Sequence, residues 1–277
     1  MSICTLLIAE HTLVKGMVIF MKLHFLGTCA GTEPIAGINH QSTALEINDT
    51  LYWFDAGACS SRTAHIMGLD LLKVKKVIIS HTHMDHVGGL GNLFWDIRKM
   101  KWVKQQEPKF DFIDLYIPEI ATWNGFLEIL NHSEGDFDNE MAVKASVVSD
   151  GVLFADENMK VTALHNEHIR IHPGDSWKSF SYLIEAEGKR IVYSGDIAAI
   201  SELTPFIKDG CDALLIETGH HKYLDVCDYM NGKKIKNLFF THKGWSILSE
   251  PMNAIINAQN SFDGNVMICS DATTVIL

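Results

Sequence analysis

The sequence predicts an α/β fold in a single domain. Short apolar runs bounded by Gly, Asp or Asn recur from residue 22 to residue 269, the size and spacing of strands. In the second half these runs alternate with stretches of helical periodicity, which implies helices covering both outer faces of sheet. Asn48-Asp49 and Glu187-Gly188 each separate two apolar runs and read as hairpin turns. No Pro/Ser-rich linker and no internal repeat divides the chain.

Taken in order, strands are expected over residues 22–27, 42–47, 51–55, 77–80, 112–117, 152–154, 160–164, 180–185, 190–194, 213–217, 237–241 and 265–269. Helices are expected over 61–67, 87–99, 119–130, 198–207, 222–230 and 251–260. Residues 101–145, with Trp102 and Trp123, read as a lid or, in preference, as helix and strand cover. Residues 1–20 are apolar but broken by Glu10, His11 and Lys15, so they fit neither a spanning helix nor a signal peptide. They are read as an extension that precedes a domain over residues 21–277.

Composition narrows the function classes. The chain has 277 residues and a formal net charge of −11, which disfavours non-specific adhesion to nucleic acid or to an anionic membrane. Cys4, Cys29, Cys59, Cys211, Cys227 and Cys269 are scattered without a C-x-x-C pair, the usage of reduced thiols in a cytoplasmic protein.

One segment carries chemistry. The apolar run Val77-Ile78-Ile79-Ser80 leads straight into His81-Thr82-His83-Met84-Asp85-His86 and then the glycine-rich Val87-Gly88-Gly89-Leu90-Gly91. Three imidazoles and a carboxylate in six residues cannot all enter an apolar core without partners. Two divalent ions would supply them: His81 and His83 alternate toward one, while Asp85 and His86 reach the other.

H-x-H-x-D-H after an apolar strand resembles the signature of the metallo-β-lactamase superfamily. The opening Phe25-Leu26-Gly27-Thr28-Cys29-Ala30-Gly31-Thr32 is similar to the first strand and loop of its ribonuclease Z-like branch. The resemblance implies a four-layer αββα sandwich. Trp53-Phe54-Asp55-Ala56-Gly57 resembles the acidic motif whose aspartate supports the histidine loop from behind, which makes Asp55 an orienting residue. Tyr193-Ser194-Gly195-Asp196 then matches the motif that delivers a bridging carboxylate, and Phe239-Phe240-Thr241-His242 ends in the last histidine. Between Val161 and His172 three histidines compete. The downstream landmarks Phe180-Ser181-Tyr182 and Gly188-Lys189-Arg190-Ile191 set a register that selects His168 over His165. The implied ligand set is His81, His83 and His168 on one ion, Asp85, His86 and His242 on the other, with Asp196 between. Nitrogen and oxygen donors without a thiolate suit zinc first, then manganese or iron. In such a site a hydroxide shared by the ions is the nucleophile.

Departures from the pattern bear on substrate. The interval from His168 to Asp196 is 28 residues, too short for the tRNA-gripping arm of ribonuclease Z. A basic P-x-K-x-R element is missing at residues 33–39. The resemblance implies a leaving-group acid just before the helix that precedes the T-H strand, where this chain has Glu217-Thr218-Gly219-His220-His221. His220 takes that role with His221 as fallback, and Glu217 holds the imidazole. The leading expectation is a phosphodiesterase on a small or cyclic nucleotide-like ester. The alternatives are a ribonuclease Z-like tRNA 3′ endonuclease, a lactone, thioester or sulfate-ester hydrolase, and last a non-enzymatic metal-binding scaffold. The resemblance also implies a homodimer, with no membrane partner.

Overall fold

The Asn48-Asp49 turn adopts φ of 49° and 58°, and Glu187-Gly188 adopts 50° and 72°. Two successive positive φ values give the twist that joins antiparallel strands in register. The first turn pairs Ser42–Ile47 with Thr50–Phe54, and the second pairs Phe180–Ala186 with Lys189–Tyr193. In this computed structural model, the structure describes residues 21–277 except 34, 136 and 138–140, together with the backbone of residues 5–7, 13–14 and 17–18. The expectation for residues 1–20 otherwise lies outside the described residues.

The chain forms two units, each built on its own sheet. The first comprises Met1–Gly27, Ile38–Val147 and Ser270–Leu277. Its sheet runs in the order Thr5–Leu7, Thr273–Ile276, Lys22–Gly27, Ser42–Ile47, Thr50–Phe54, Val74–Ile78, Ile113–Ile117, Val143–Val147. Pairing is antiparallel from Thr273–Ile276 through Thr50–Phe54 and parallel from there to the far edge. The helix Leu90–Lys104 buries Leu90, Leu93, Phe94 and Ile97, the one-face spacing of an amphipathic helix. Each such side chain contributes about 1.5–3 kcal/mol by leaving water. Phe94 meets Trp123 of the Ile120–Glu134 helix at 5.0 Å between ring centroids.

The second unit comprises Thr28–Gly37 and Val148–Cys269. Its sheet runs Gly151–Ala155, Lys160–His165, Phe180–Ala186, Lys189–Tyr193, Cys211–Thr218, Ile235–Lys243, Asn265–Ile268. The first three pairings are antiparallel and the last three parallel. Val192, Leu214, Leu238 and Phe240 form a core with Val226 of the helix Tyr223–Met230 and with Ala254 and Ala258 of the helix Pro251–Ser261.

Several elements differ from the sequence reading; the segment expected as one helix over 198–207, for instance, is a 3-10 turn at Ile200–Leu203 followed by Thr204–Ile207. The helix expected over 87–99 is two pieces, a single turn Met84–Val87 and then Leu90–Lys104 capped at Gly89. The edge strand Val143–Val147 was not expected, because its side chains are mostly exposed and lack an apolar run. Nor was Thr273–Ile276, which pairs beside Lys22–Gly27. Among the described residues no helix is long and apolar enough to cross a membrane.

Candidate metal centre

In each unit, parallel strands end side by side, and their carboxyl ends carry the candidate ligands. That is where open α/β sheets bind ligands.

In the first unit, Thr50–Phe54 lies parallel to Val74–Ile78, so Asp55 emerges beside the start of the histidine loop. Its N–H donates to the Ile78 carbonyl at 2.9 Å, with φ at 55°. Asp55 Oδ1 accepts the Ser80 N–H at 2.6 Å, and Oδ2 accepts the Ser80 hydroxyl at 2.8 Å. His86 Nδ1 lies 2.8 Å from the same Oδ2. Asp55, His81 and His86 are wholly buried, while His83 is exposed and Asp85 half-buried. The His81 ring stands 4.6 Å from that of His83 and 4.0 Å from that of His86, and Asp85 Oδ2 lies 3.6 Å from His86 Nε2. Gly57 is required here: a Cβ would lie 2.4 Å from the Asp85 carbonyl oxygen and 2.6 Å from the His40 carbonyl carbon. The four candidate ligands of this unit therefore gather in one loop, with Asp55 behind them.

The second unit assembles its set from four strand ends. His242 Nδ1 lies 3.4 Å from Asp196 Oδ1, and His168 Nε2 lies 3.7 Å from Asp196 Oδ2. His220 Nδ1 stands 3.6 Å from the same oxygen. Donors tetrahedrally arranged on arms of about 2.0–2.2 Å stand ~3.3–3.6 Å apart, so these spacings suit groups placed round a cation. Asp196, Glu217, His220 and His242 each offer one ligand atom within 4.8 Å of the others. Gly219 makes room for His242, since a Cβ there would lie 2.7 Å from its Nδ1.

Glu217 is buried and grips His220 twice. Its Oε2 accepts the His220 N–H at 2.8 Å, and its Oε1 accepts the ring Nδ1–H at 3.2 Å. Burial pushes the Glu217 carboxyl up, but hydrogen bonds from His220 and His242 outweigh it and hold the group below the usual carboxylate range. The same Glu217 bond raises the His220 imidazole above its ordinary value, against partial burial. His220 is 47% exposed at the side chain, whereas His221 is 15% exposed and its Nε2 donates to the Ile197 carbonyl at 3.0 Å.

Of the competing histidines, His165 sits apart. Its Nδ1 lies 2.6 Å from Asp150 Oδ2, and its ring stacks on Trp177 at 3.8 Å. His172 is exposed. Two supporting residues escaped the sequence reading. Ser80 is one; its only sequence signal is a hydroxyl directly before the first histidine. Glu202 is the other; it accepts the N–H groups of Glu167, Ala198 and Ala199 at 2.7, 2.9 and 3.1 Å and so ties the His168 loop to the segment after Asp196. Among the described residues no cysteine joins either cluster; burial pushes the Cys211 thiol up to about 12 and Cys227 up to about 11.

The donor chemistry fits divalent ions: imidazole nitrogens and carboxylate oxygens, with Asp55 and Glu217 bracing imidazoles from behind. Two mixed sheets flanked by helices, with such strand ends, define the metallo-β-lactamase fold. The chain resembles the metallo-β-lactamase fold protein YhfI from Bacillus subtilis with a TM-score of 0.73 at 18% identity, over 93% of this chain and 100% of that one. That likeness shows the metallo-β-lactamase fold. The chain belongs to the family described as "Anti-Pycsar protein Apyc1", whose model matches residues 21–242. It is 28% identical over 149 residues to a ribonuclease Z of Methanothermobacter thermautotrophicus, covering 53% of this chain but only 45% of that protein. It is 26% identical over 222 residues to the ribonuclease Z of Pyrococcus furiosus, covering 74% of this chain and 69% of that one.

Proposed function

We propose that the protein is a binuclear metal-dependent phosphodiesterase acting on a small or cyclic nucleotide-like ester. The ligands are His81, His83, Asp85, His86, His168, Asp196 and His242, with zinc first among the candidate ions. When bound, such ions supply Lewis-acid activation of water for attack on phosphorus. The observation that carries the reading is the Glu217–His220 pair beside Asp196. With Nδ1–H donated to Glu217, His220 keeps Nε2 for a substrate. A half-exposed imidazole held in this way is suited to protonate a departing alkoxide. Ester hydrolysis with a good leaving group needs no such donor, whereas a nucleotide diester does. His221, whose Nε2 is committed to the Ile197 carbonyl, suits the role less.

Longer RNA is the second reading, favoured by the name ribonuclease Z carried by the curated relatives. Against it stand the net charge of −11 and the short interval of 28 positions from His168 to Asp196, half of which the Phe180–Tyr193 hairpin takes. The test offers the metal-loaded protein cyclic and linear mononucleotide diesters, bis(p-nitrophenyl) phosphate, a tRNA 3′ extension, a lactone and a thioester. Turnover of small diesters well above the others is expected. Preference for the tRNA, or for the lactone or thioester, would overturn the assignment. Light scattering tests the homodimer that the resemblance implies.

A further inference from the structure

Four groups behind the histidine loop form a hydrogen-bond chain. Ser80 Oγ lies 2.8 Å from Asp55 Oδ2 and 3.0 Å from His81 Nδ1, and His86 Nδ1 lies 2.8 Å from that same Asp55 oxygen. All four residues are buried. A serine hydroxyl carries one proton, and a carboxylate oxygen only accepts. The Ser80 proton therefore points at Asp55. Aimed at His81 instead, it would leave two oxygen lone pairs facing each other at 2.8 Å. With its proton spent, Ser80 Oγ can only accept from His81, so His81 carries its proton on Nδ1. His86, facing Asp55 directly, also carries its proton on Nδ1. Both rings then present the Nε2 lone pair, the form that binds a metal.

We infer that Ser80 is a positioning residue that extends the reach of Asp55 from His86 to His81, fixing both imidazoles in the Nδ1–H tautomer. One carboxylate oxygen thus sets two ligands, one directly and one through a hydroxyl. Ser80 Oγ stands 2.8 Å from Asp55 Oδ2 and 3.0 Å from His81 Nδ1, and so bridges the two. Its backbone is held for the task, since the Ser80 N–H donates to the other Asp55 oxygen at 2.6 Å and Ser42 Oγ donates to the Asp55 carbonyl at 2.7 Å. The metal consequence rests on the proposed binuclear site; the tautomer itself does not.

The test uses the full-length protein with ¹⁵N-labelled histidine, as purified and after chelation. Long-range ¹H–¹⁵N correlation spectra distinguish the two tautomers, and a His81→Gln sample assigns the His81 signals. His81 protonated at Nδ1 in the chelated wild type is expected, and protonation at Nε2 would overturn the relay. Ser80→Ala should leave His86 as Nδ1–H, release His81 to a mixture, and weaken binding of one zinc by about 10–100-fold in a chelator competition. Ser80→Thr, which keeps the hydroxyl, should restore both readouts. An unchanged His81 tautomer in Ser80→Ala would overturn the inference, and if that variant does not fold the wild-type spectrum still decides it. No zinc binding together with an Nδ1–H His81 would sink the metal reading while supporting the relay.

Discussion

The two ligand clusters are built from the same device, parallel strands ending side by side, yet they differ in which groups they show to solvent. In the first unit, Asp55, Ser80, His81 and His86 are closed off, with Asp55 bonded to Ser80 and His86, while the candidate ligand His83 is exposed. In the second, Asp196, Glu217 and His242 are equally buried, but His220 projects half-exposed from the same cluster. A buried relay holds ligands at fixed geometry, and an exposed, braced imidazole can meet a substrate. The difference separates residues that should act on metal content from residues that should act on turnover.

The sharpest way to break that separation is at a ligand. His86→Ala removes a donor and leaves Asp55 with one bond fewer, so the protein should lose at least one of the two proposed ions. Elemental analysis of the purified variant checks this. Two ions per chain retained would remove His86 from the ligand set.

His220→Ala should do the opposite, sparing metal while lowering turnover. Loss of a general acid costs about 10²–10⁴ in rate when the leaving group needs a proton. A nitrophenolate needs little, so cleavage of the nitrophenyl diester should fall far less than that of an alkyl or nucleoside diester. The contrast with His221→Ala is informative, because His221 bonds a backbone carbonyl and not the cluster's open side. Equal losses on both substrates in His220→Ala, or a selective loss confined to His221→Ala, would sink the assignment.

Gly219→Ala tests whether crowding alone disturbs the second cluster. The new Cβ meets His242 Nδ1 at 2.7 Å and the Ala30 Cβ at 3.1 Å, so the imidazole has to move. Displacing a ligand in this way should weaken metal binding by about 10–100-fold. Chelator competition measures it, and wild-type affinity would mean that His242 can shift at no cost.

The uneven legibility of the two clusters in the sequence has a physical origin. The first lies in one contiguous stretch, His81 to His86, so a local pattern of donors after an apolar strand exposes it. The second draws on His168, Asp196, Glu217, His220 and His242, which only the sheet order brings together. Each of these took its expected role from the order of family motifs. Ser80 and Glu202 stayed hidden, because a serine before a histidine or a glutamate in a helical turn is commonplace until hydrogen-bond partners are known. The fold shows the same contrast. Apolar central strands were readable nearly to the residue, as with Lys22–Gly27 and Ser42–Ile47, while the edge strand Val143–Val147, facing water, has no such signature.

The smallest expected effect lies away from either cluster and concerns stability. Lys22–Gly27 is flanked by Ser42–Ile47 and Thr273–Ile276, and His24 links both neighbours: Nδ1 is 2.9 Å from Thr274 Oγ1, and Nε2 is 3.0 Å from Glu46 Oε2. Lys22 Nζ adds a contact to the same Glu46 oxygen at 3.2 Å. The bond from His24, with that from Lys22, outweighs partial burial and holds the Glu46 carboxyl down to about 2 from 4.5. A carboxyl depressed on folding stabilises the protein above its unfolded value and ceases to do so as pH falls through its folded one. The contribution should therefore be complete above about pH 4.5 and vanish toward pH 2. After solvent screening it amounts to on the order of 1 kcal/mol, or about 2–4 °C in Tm for a chain of this size. Glu46→Gln should melt lower than wild type by that margin at pH 7. The gap should narrow steadily between pH 4.5 and the acid limit of folding, as followed by scanning fluorimetry. A gap that stays constant with pH would mean that the glutamine fails through shape, and that the charge on Glu46 contributes nothing to holding the three strands together.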